Sequence, residues 1–195
     1  MIDLRKTFFA SSLGCMLLIT LAGAHPLGAP SLTGTWILNL PKSDFGSLQR
    51  PNFTLTRTVT LQGTVEIDVS DQITRPELVE TLTDENGTTL PGTRVVKKKK
   101  VELETVTLFT DGRHTSITTP RAGYSATAVW KGSSLLVTVD GTHTNESDNG
   151  TKSESAFTQQ QVWTLTNNGN TLQIKQTTNS GQNSNTVTYV FDRTS

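Results

Sequence analysis

Apolar and polar residues alternate with a period of two along several stretches of this chain. From Phe53 to Leu61 the odd positions hold Phe, Leu, Arg, Val and Leu, and the four positions between them are all threonine. Such alternation is typical of a β-strand that faces a core on one side and water on the other. No segment shows a sustained helical period. The pattern predicts about ten strands, at 36–40, 53–61, 65–69, 78–83, 94–110, 124–130, 135–139, 156–165, 172–177 and 186–191.

Asparagine or aspartate followed by glycine recurs between these stretches. A two-residue hairpin turn needs positive φ angles, which such pairs adopt at little cost. The chain is therefore predicted to be an antiparallel meander, with 142–155 as a long, mobile hairpin tip. The pairs are Asn86-Gly87, Asp111-Gly112, Asp140-Gly141, Asn149-Gly150 and Asn168-Gly169.

The first 24 residues have the pattern of an export signal. Arg5 and Lys6 form a positive start, 7–21 is mostly apolar, and Ala22-Gly23-Ala24 fits the small-x-small cleavage rule. The sequence thus predicts a signal peptide at 1–24, a flexible leader at 25–33 and one folded domain at 34–195. Because the apolar run is shorter than the ~20 residues that span a bilayer, we expect no membrane span after cleavage and a periplasmic or extracellular location.

Charge and cysteine content narrow the classes of function. The 17 basic and 17 acidic residues balance, so the sequence predicts no nucleic-acid partner. Cys15 is the single cysteine and falls within the predicted signal. The exported chain would then contain no disulfide, and its core must be held by packing.

An all-β meander of this length must protect the unpaired edges of its sheet. Closing an up-and-down sheet into a barrel protects them most completely. We therefore predict an antiparallel up-and-down β-barrel of about eight to ten strands. A β-sandwich is the alternative.

The string Leu32-Thr33-Gly34-Thr35-Trp36 resembles the opening of the lipocalin-like (calycin) barrels, which have Gly-x-Trp on the first strand. Further motifs are similar to those of small exported lipocalin-like proteins of bacteria: Gly34 to Asn39 followed by Lys42-Ser43-Asp44-Phe45, Val129-Trp130-Lys131-Gly132, and Trp163-Thr164-Leu165 with Asn168-Gly169. The resemblance implies a lipocalin-like barrel over nearly the whole exported chain. It also implies that a basic residue near the last strand, here Arg193, lies against Trp36 as a structural clamp at one end of the barrel.

Four residues are candidates for contact with a ligand inside such a barrel. Arg57 lies on the apolar face of its strand, where it needs either an internal carboxylate, an anionic ligand or access to the rim. Tyr124, Trp130 and Trp163 are large aromatic residues on predicted strands. Between Tyr124 and Trp130, Ala126 and Ala128 share their face and leave room either for a cavity or for a bulky facing residue.

Other charged groups have simpler interpretations. Glu66/Asp68 and Glu102/Glu104 place two carboxylates on one strand face, which alternation on an outward face produces without catalysis. In the run 97–100, four lysines point alternately to both faces, so two would share the side of Val101 and Leu103. If that side faces the interior, these lysines could bind an anionic ligand. If it faces solvent, their charges would discourage pairing of this strand edge with another protein chain.

The sequence favours a binding protein over an enzyme. His114 and His143 lack metal-ligand spacing, and we find no nucleophile elbow, phosphate loop or dinucleotide motif. We predict no cofactor and no metal. The leading hypothesis is an exported, non-enzymatic barrel that holds a small hydrophobic or amphiphilic molecule. The alternative is an envelope or surface interaction module with a filled core.

Overall fold

A computed structural model describes residues 29–83, 88–97, 99–119, 122–146 and 152–194. The predicted signal peptide, residues 25–28 of the leader and the pairs Asn86-Gly87 and Asn149-Gly150 lie outside these ranges. Within them, no helix has the length and apolar character needed to cross a membrane.

The described residues form twelve strands and two short 3-10 helices, which confirms the all-β class. The 3-10 helices are Leu40–Lys42 and Asn167–Gly169. The strands are β1 (Gly34–Leu38), β2 (Thr54–Gln62), β3 (Glu66–Arg75), β4 (Leu78–Thr83), β5 (Thr89–Lys97), β6 (Lys100–Phe109), β7 (Thr115–Thr119), β8 (Ala122–Lys131), β9 (Ser134–Glu146), β10 (Lys152–Thr166), β11 (Thr171–Ser180) and β12 (Asn183–Arg193).

Ten of these strands form one antiparallel sheet, in the order β6-β3-β2-β1-β12-β11-β10-β9-β8-β7. The first strand thus pairs with the last, as when Trp36 lies opposite Arg193. Strands β4 and β5 pair only with each other and form a separate hairpin between β3 and β6. The predicted up-and-down barrel is confirmed, and the sandwich alternative is not observed.

The sheet closes where its two outer strands, β6 and β7, approach each other. The hydroxyl of Thr115 in β7 donates to the carbonyl of Thr107 in β6 at 2.7 Å. Just beyond β6, Asp111 forms a bridge with Val129 of β8, and the amide of Gly112 donates to the carbonyl of Ala128 at 3.1 Å. These contacts make the barrel nearly closed.

Inward-facing apolar residues fill one end of the barrel, which we call the closed end. Trp36 is fully buried there, and its indole N–H donates to the carbonyl of Leu32 at 3.1 Å. Leu32 belongs to the predicted leader but is buried in the core. Other core residues are Leu38, Leu55, Val59, Ile67, Val69, Leu108, Ala126, Ala128, Leu135, Val137, Trp163, Leu172, Ile174 and Phe191.

The segment 39–45, which follows β1, is hydrogen-bonded to β12 and packs against it. The buried Ser43 hydroxyl donates to the carbonyl of Asn39 at 2.8 Å and accepts from the amide of Val190 at 3.0 Å. Phe45 then packs edge-on against Tyr189, with ring centroids 5.9 Å apart. The 3-10 helix Leu40–Lys42 lies immediately before Ser43.

Of the Asx-Gly pairs that the structure describes, only one lies in a hairpin connection, and this connection has four residues, 167–170, instead of the predicted two. Asn168 and Gly169 have φ angles of 53° and 82° between β10 and β11. Asp111-Gly112 lies in the connection that closes the barrel, where Gly112 has a φ of 86°. Asp140-Gly141 is not a turn, because β9 continues through it to Glu146.

Several strand limits also differ from the prediction. The run 94–110 is two strands, β5 and β6, and β3 continues to Arg75 instead of ending at Val69. Strand β7 was missed. Much of the predicted hairpin tip 142–155 is strand, because β9 and β10 pair as far as Glu146 and Lys152. Most residues in these segments are polar, so they give no apolar alternation to detect.

Candidate functional site

A cavity of about 280 Å³ lies inside the barrel, away from the closed end. Its deep wall contains Leu108, Ala126 and Val137, and its outer part reaches the exposed Glu104. The remaining lining residues are Arg57, Val69, Asp71, Val106, Tyr124, Val139, Phe157, Gln159, Gln161 and Trp163. The lining is thus mostly apolar, with a few polar groups, which is the usual make-up of a small-molecule site.

Alternation along each strand explains why these residues meet. Tyr124 and Ala126 are two positions apart on β8, so both face inward. Ala126 and Ala128 are almost completely buried. Because a methyl group occupies little space, Ala126 leaves the volume next to Tyr124 open. Of the two alternatives that the sequence left for this face, the structure shows a cavity beside Ala126, whereas Ala128 is packed in the core and does not line the cavity.

Arg57 forms a bidentate ion pair with Asp71 on the neighbouring strand. Its Nε lies 2.7 Å from Oδ1 and its Nη2 lies 2.6 Å from Oδ2. The two side chains are only 15% and 19% exposed. A guanidinium removed from water needs such a partner, and paired parallel hydrogen bonds are the strongest form available. The internal carboxylate therefore compensates the charge of Arg57.

Aromatic rings hold the guanidinium of Arg57 from its other sides. Its Cζ lies 4.9 Å from the centre of the Trp163 ring and 5.3 Å from that of Phe191. These distances fall within the range of cation–π attraction. Arg57 is thereby fixed at the cavity wall instead of extending to the rim.

A chain of side-chain hydrogen bonds runs along the opposite wall on β10. The indole N–H of Trp163 donates to Oε1 of Gln161 at 2.7 Å, and Nε2 of Gln161 donates to Oε1 of Gln159 at 2.6 Å. Nε2 of Gln159 then donates to the hydroxyl of Thr178 at 3.3 Å. Each buried donor thus has an acceptor, which avoids the cost of an unsatisfied polar group. The two glutamines give the cavity a polar stripe.

Glu104 on β6 and Tyr124 on β8 lie toward the outer part of the cavity, near the gap between β6 and β7. Burial raises the pKa of the Tyr124 phenol, and the negative charge of Glu104 raises it further. On β12, outside the cavity lining, burial raises the pKa of Tyr189, while the positive charge of Arg57 acts in the opposite direction. Both phenols are therefore neutral hydrogen-bonding groups at neutral pH.

At the outer part of the cavity, the packing of side chains requires a glycine, Gly141, within β9. A Cβ atom at Gly141 would lie 2.6 Å from Cβ of Tyr124, 2.7 Å from the carbonyl oxygen of Gly123 and 3.0 Å from Cε1 of Phe157. The first two separations are shorter than van der Waals contact allows. Gly141 therefore lets Tyr124 and Phe157 stand on both sides of β9 at the cavity entrance.

Three of the four predicted ligand-contact residues, Arg57, Tyr124 and Trp163, line the same cavity. Trp130 does not. It borders a separate hollow at the closed end, together with Leu32 and Ile67. Because β8 runs from the entrance at Tyr124 to the closed end at Trp130, its two aromatic residues line different hollows.

The sequence interpretation missed five polar or aromatic lining residues. They are Asp71, Glu104, Phe157, Gln159 and Gln161. Asp71 continues the alternation of Ile67 and Val69, and this continuation is the signal that would have found it. Glu104 was assigned to an outward face, but it faces inward with Val106 and Leu108. The opposite face, with Val101 54% and Leu103 73% exposed, is the outer one.

The remaining sequence candidates lie away from the cavity. The guanidinium of Arg193 is centred 4.4 Å from the Trp36 ring at the closed end, in the arrangement of a clamp. Nζ of Lys100 lies 2.6 Å from Oε1 of Glu102, and Lys99 is exposed. Lys98 and the side chain of Lys97 lie outside the described part of the chain, as does the side chain of His143.

We find no candidate metal site in the described part of the chain. No group of three or more His, Cys, Asp or Glu side chains comes together there in a way that could hold an ion. Nδ1 of His114 lies 3.0 Å from the hydroxyl of Ser125 at the surface. The cavity therefore offers hydrogen bonds, one ion pair and apolar surface as its means of recognition.

Comparison with protein-family models gives no match to this chain, and comparison with curated proteins gives none either.

Proposed function

We propose that this chain is an exported, lipocalin-like protein that holds a small, mostly apolar molecule in its barrel cavity. The observation that supports this most strongly is the cavity of about 280 Å³ with Val, Leu, Ala, Phe and Trp side chains along its walls. Protein interiors are normally close-packed. The hollow beside Trp130 has a similar volume, but none of its lining residues is charged, whereas this cavity combines apolar walls with Arg57 and Asp71. The N-terminal signal pattern supports export.

The size of the cavity limits the ligand to a small molecule. Natural ligand pockets begin near 300 Å³, so this one accepts a compact body or a short alkyl chain. Burying a CH₂ group contributes about 0.8 kcal/mol, which gives about 5 kcal/mol for a hexyl chain. That corresponds to dissociation constants of about 0.1 to 1 mM for the apolar part alone. Polar contacts of the natural ligand would add to this.

The polar groups at the cavity wall would orient the ligand. Arg57 is already paired with Asp71, so an anionic head would have to displace a bidentate carboxylate to reach it. The amide of Gln159 and the phenol of Tyr124 offer neutral hydrogen bonds near the entrance. The proposal assigns carriage or sequestration to the cavity and no chemical step.

An interaction module for a partner protein is the second candidate. The exposed apolar side chains of Val101 and Leu103 on the outer face of β6 favour it. That strand lies at the edge of the sheet, and exposed apolar edge strands are surfaces on which other chains can pair.

Titration of the purified protein with 1-hexanol, followed by NMR, tests the proposal. We expect saturable shifts at cavity residues. Ala126→Phe and the smaller change Ala126→Leu, both within the cavity wall, should abolish or weaken them. Ala156→Phe puts the same ring on the exposed side of β10 and should leave binding unchanged. Shifts that are absent, or equally strong in well-folded Ala126 variants, would overturn the carrier proposal and favour the interaction module.

A further inference from the structure

The charged groups that line the cavity do not balance. Among the described residues they are one cation, Arg57, and two carboxylates, Asp71 and Glu104. Asp71 takes both hydrogen bonds of the guanidinium edge, through Nε and Nη2 of Arg57. Glu104 therefore contributes a negative charge that no cation within the cavity wall offsets.

The register of the sheet puts the two carboxylates side by side. Arg57 lies opposite Asp71 on β2 and β3, and Asp71 lies opposite Glu104 on β3 and β6. Directly opposed residues have Cβ atoms about 4.5 to 5.5 Å apart, where like charges repel. Within the described part of the chain, no hydrogen bond or ion pair joins Glu104 to another residue. A positively charged group beside Glu104 would relieve this repulsion.

Aromatic rings complete the surroundings of Glu104. Tyr124 and Phe157 stand at the entrance on either side of Gly141, and both line the cavity. The faces of such rings attract cations, most strongly where water is excluded. Carboxylates combined with aromatic faces at the entrance of an apolar cavity form a suitable environment for an ammonium group attached to an apolar body.

The charges nearer the rim do not change this balance inside the cavity. Glu102, one inward-facing position further out, has its own partners in Lys100 at 2.6 Å and Arg75 at 3.7 Å. Both cations are at least half exposed and are paired with Glu102. Glu104 is exposed as well, so water and salt weaken every charge interaction at the entrance. None of Glu102, Lys100 and Arg75 lines the cavity.

We infer that the cavity selects molecules with a cationic, ammonium-type head on a small apolar body, with Glu104 as the residue that determines this preference. The inference rests on the proposed carrier function and goes further by naming the class of ligand. It differs from one of the three alternatives that the sequence left open, in which Arg57 meets an anionic ligand.

Three ligands of equal chain length test the preference: hexylammonium, 1-hexanol and hexanoate, titrated at neutral pH and constant ionic strength. The proteins are the wild type, Glu104→Gln and Glu154→Gln. Glu154 is exposed on β10, and by alternation with Phe157 it faces outward, so its change removes the same charge outside the cavity. Urea unfolding of each variant verifies that it is folded.

We expect the wild type to bind hexylammonium about fivefold more tightly than 1-hexanol, because one partly screened ion pair with Glu104 contributes about that much. Hexanoate should bind most weakly, because its charge has the same sign as that of Glu104. Glu104→Gln should bring the affinity for hexylammonium down to the affinity of the same variant for 1-hexanol, whereas Glu154→Gln should keep the difference between the two ligands. If 1-hexanol binds but hexanoate equals or exceeds hexylammonium, or if Glu104→Gln keeps the full advantage, the inference is wrong and the carrier function stands. If none of the three ligands binds, the carrier function fails as well.

Discussion

Arg57 and Asp71 lie directly opposite each other on adjacent strands and join through two parallel hydrogen bonds of 2.7 and 2.6 Å inside the barrel. Glu104 lies on the other side of Asp71, on the next strand. The two carboxylates thus lie on the same face of the sheet. Asp71 neutralises the charge of Arg57, the cation among the described residues that line the cavity, whereas Glu104 adds a negative charge that Arg57 does not neutralise.

Substitutions at the two carboxylates should therefore have different effects on stability. Asp71→Asn leaves a largely buried guanidinium without its counter-charge, and we expect it to lower the free energy of unfolding by about 2 to 4 kcal/mol. Glu104→Gln removes a repulsion and should be neutral or slightly stabilising. Urea unfolding at neutral pH measures both. Equal destabilisation by the two changes would contradict the assigned pairing.

Glycine should be required at position 141 and dispensable at position 123. Both residues lie in strands near the cavity entrance. A Cβ atom at Gly141 would overlap Tyr124 and the Gly123 carbonyl, whereas one at Gly123 would meet nothing within 4 Å. We expect Gly141→Ala to cost about 1 to 3 kcal/mol through overpacking, and Gly123→Ala to change stability by less than about 0.5 kcal/mol. Thermal or urea unfolding of the pair provides the comparison. Similar stability of the two variants would show that Tyr124 and Phe157 do not lie against Gly141.

Both tyrosines of the chain should ionise above the ordinary phenol pKa of about 10. Burial is the main cause in each case, and the charge of Glu104 adds to it at Tyr124. Because folding raises these pKa values, the stability they contribute is complete below pH 10 and is lost as the pH rises through the folded-state pKa. Ultraviolet titration of tyrosinate in Tyr124→Phe and Tyr189→Phe assigns each transition.

Glu104→Gln tests the cause of the shift at Tyr124. Removing the neighbouring charge should lower the pKa of Tyr124 and leave that of Tyr189 unchanged, because only Tyr124 is affected by Glu104. An unchanged Tyr124 titration would mean that β6 and β8 are further apart than the barrel places them.

The period-two pattern was sufficient for the strands that form the closed end, but less informative around the cavity. On β2 it identified Arg57 as an inward-facing residue, since every neighbour on that face is apolar. On β6 both faces contain apolar residues, Val101 and Leu103 on one and Val106 and Leu108 on the other. Alternation alone cannot then say which face is inside, and Glu104 was assigned to the wrong one.

Partners across strands were the second feature that the sequence could not provide. The need of Arg57 for a carboxylate followed from its position, but the identity of Asp71 depends on the register between β2 and β3. The prediction of a turn at Gly141 was wrong for a related reason. An aspartate followed by glycine is typical of a turn, but glycine is needed at position 141 because Tyr124 and Phe157 on the neighbouring strands leave no room for a Cβ atom.

Native mass spectrometry of the protein from its own cell envelope tests the carrier proposal most directly. We predict the mass of residues 25–195 together with a discrete adduct that disappears on denaturation. Folded Ala126→Phe or Ala126→Leu should carry less of this adduct, and Ala156→Phe should carry as much as the wild type. A bare mass from the wild type, or an adduct that the Ala126 variants retain in full, would contradict the assignment of the barrel cavity as a binding site.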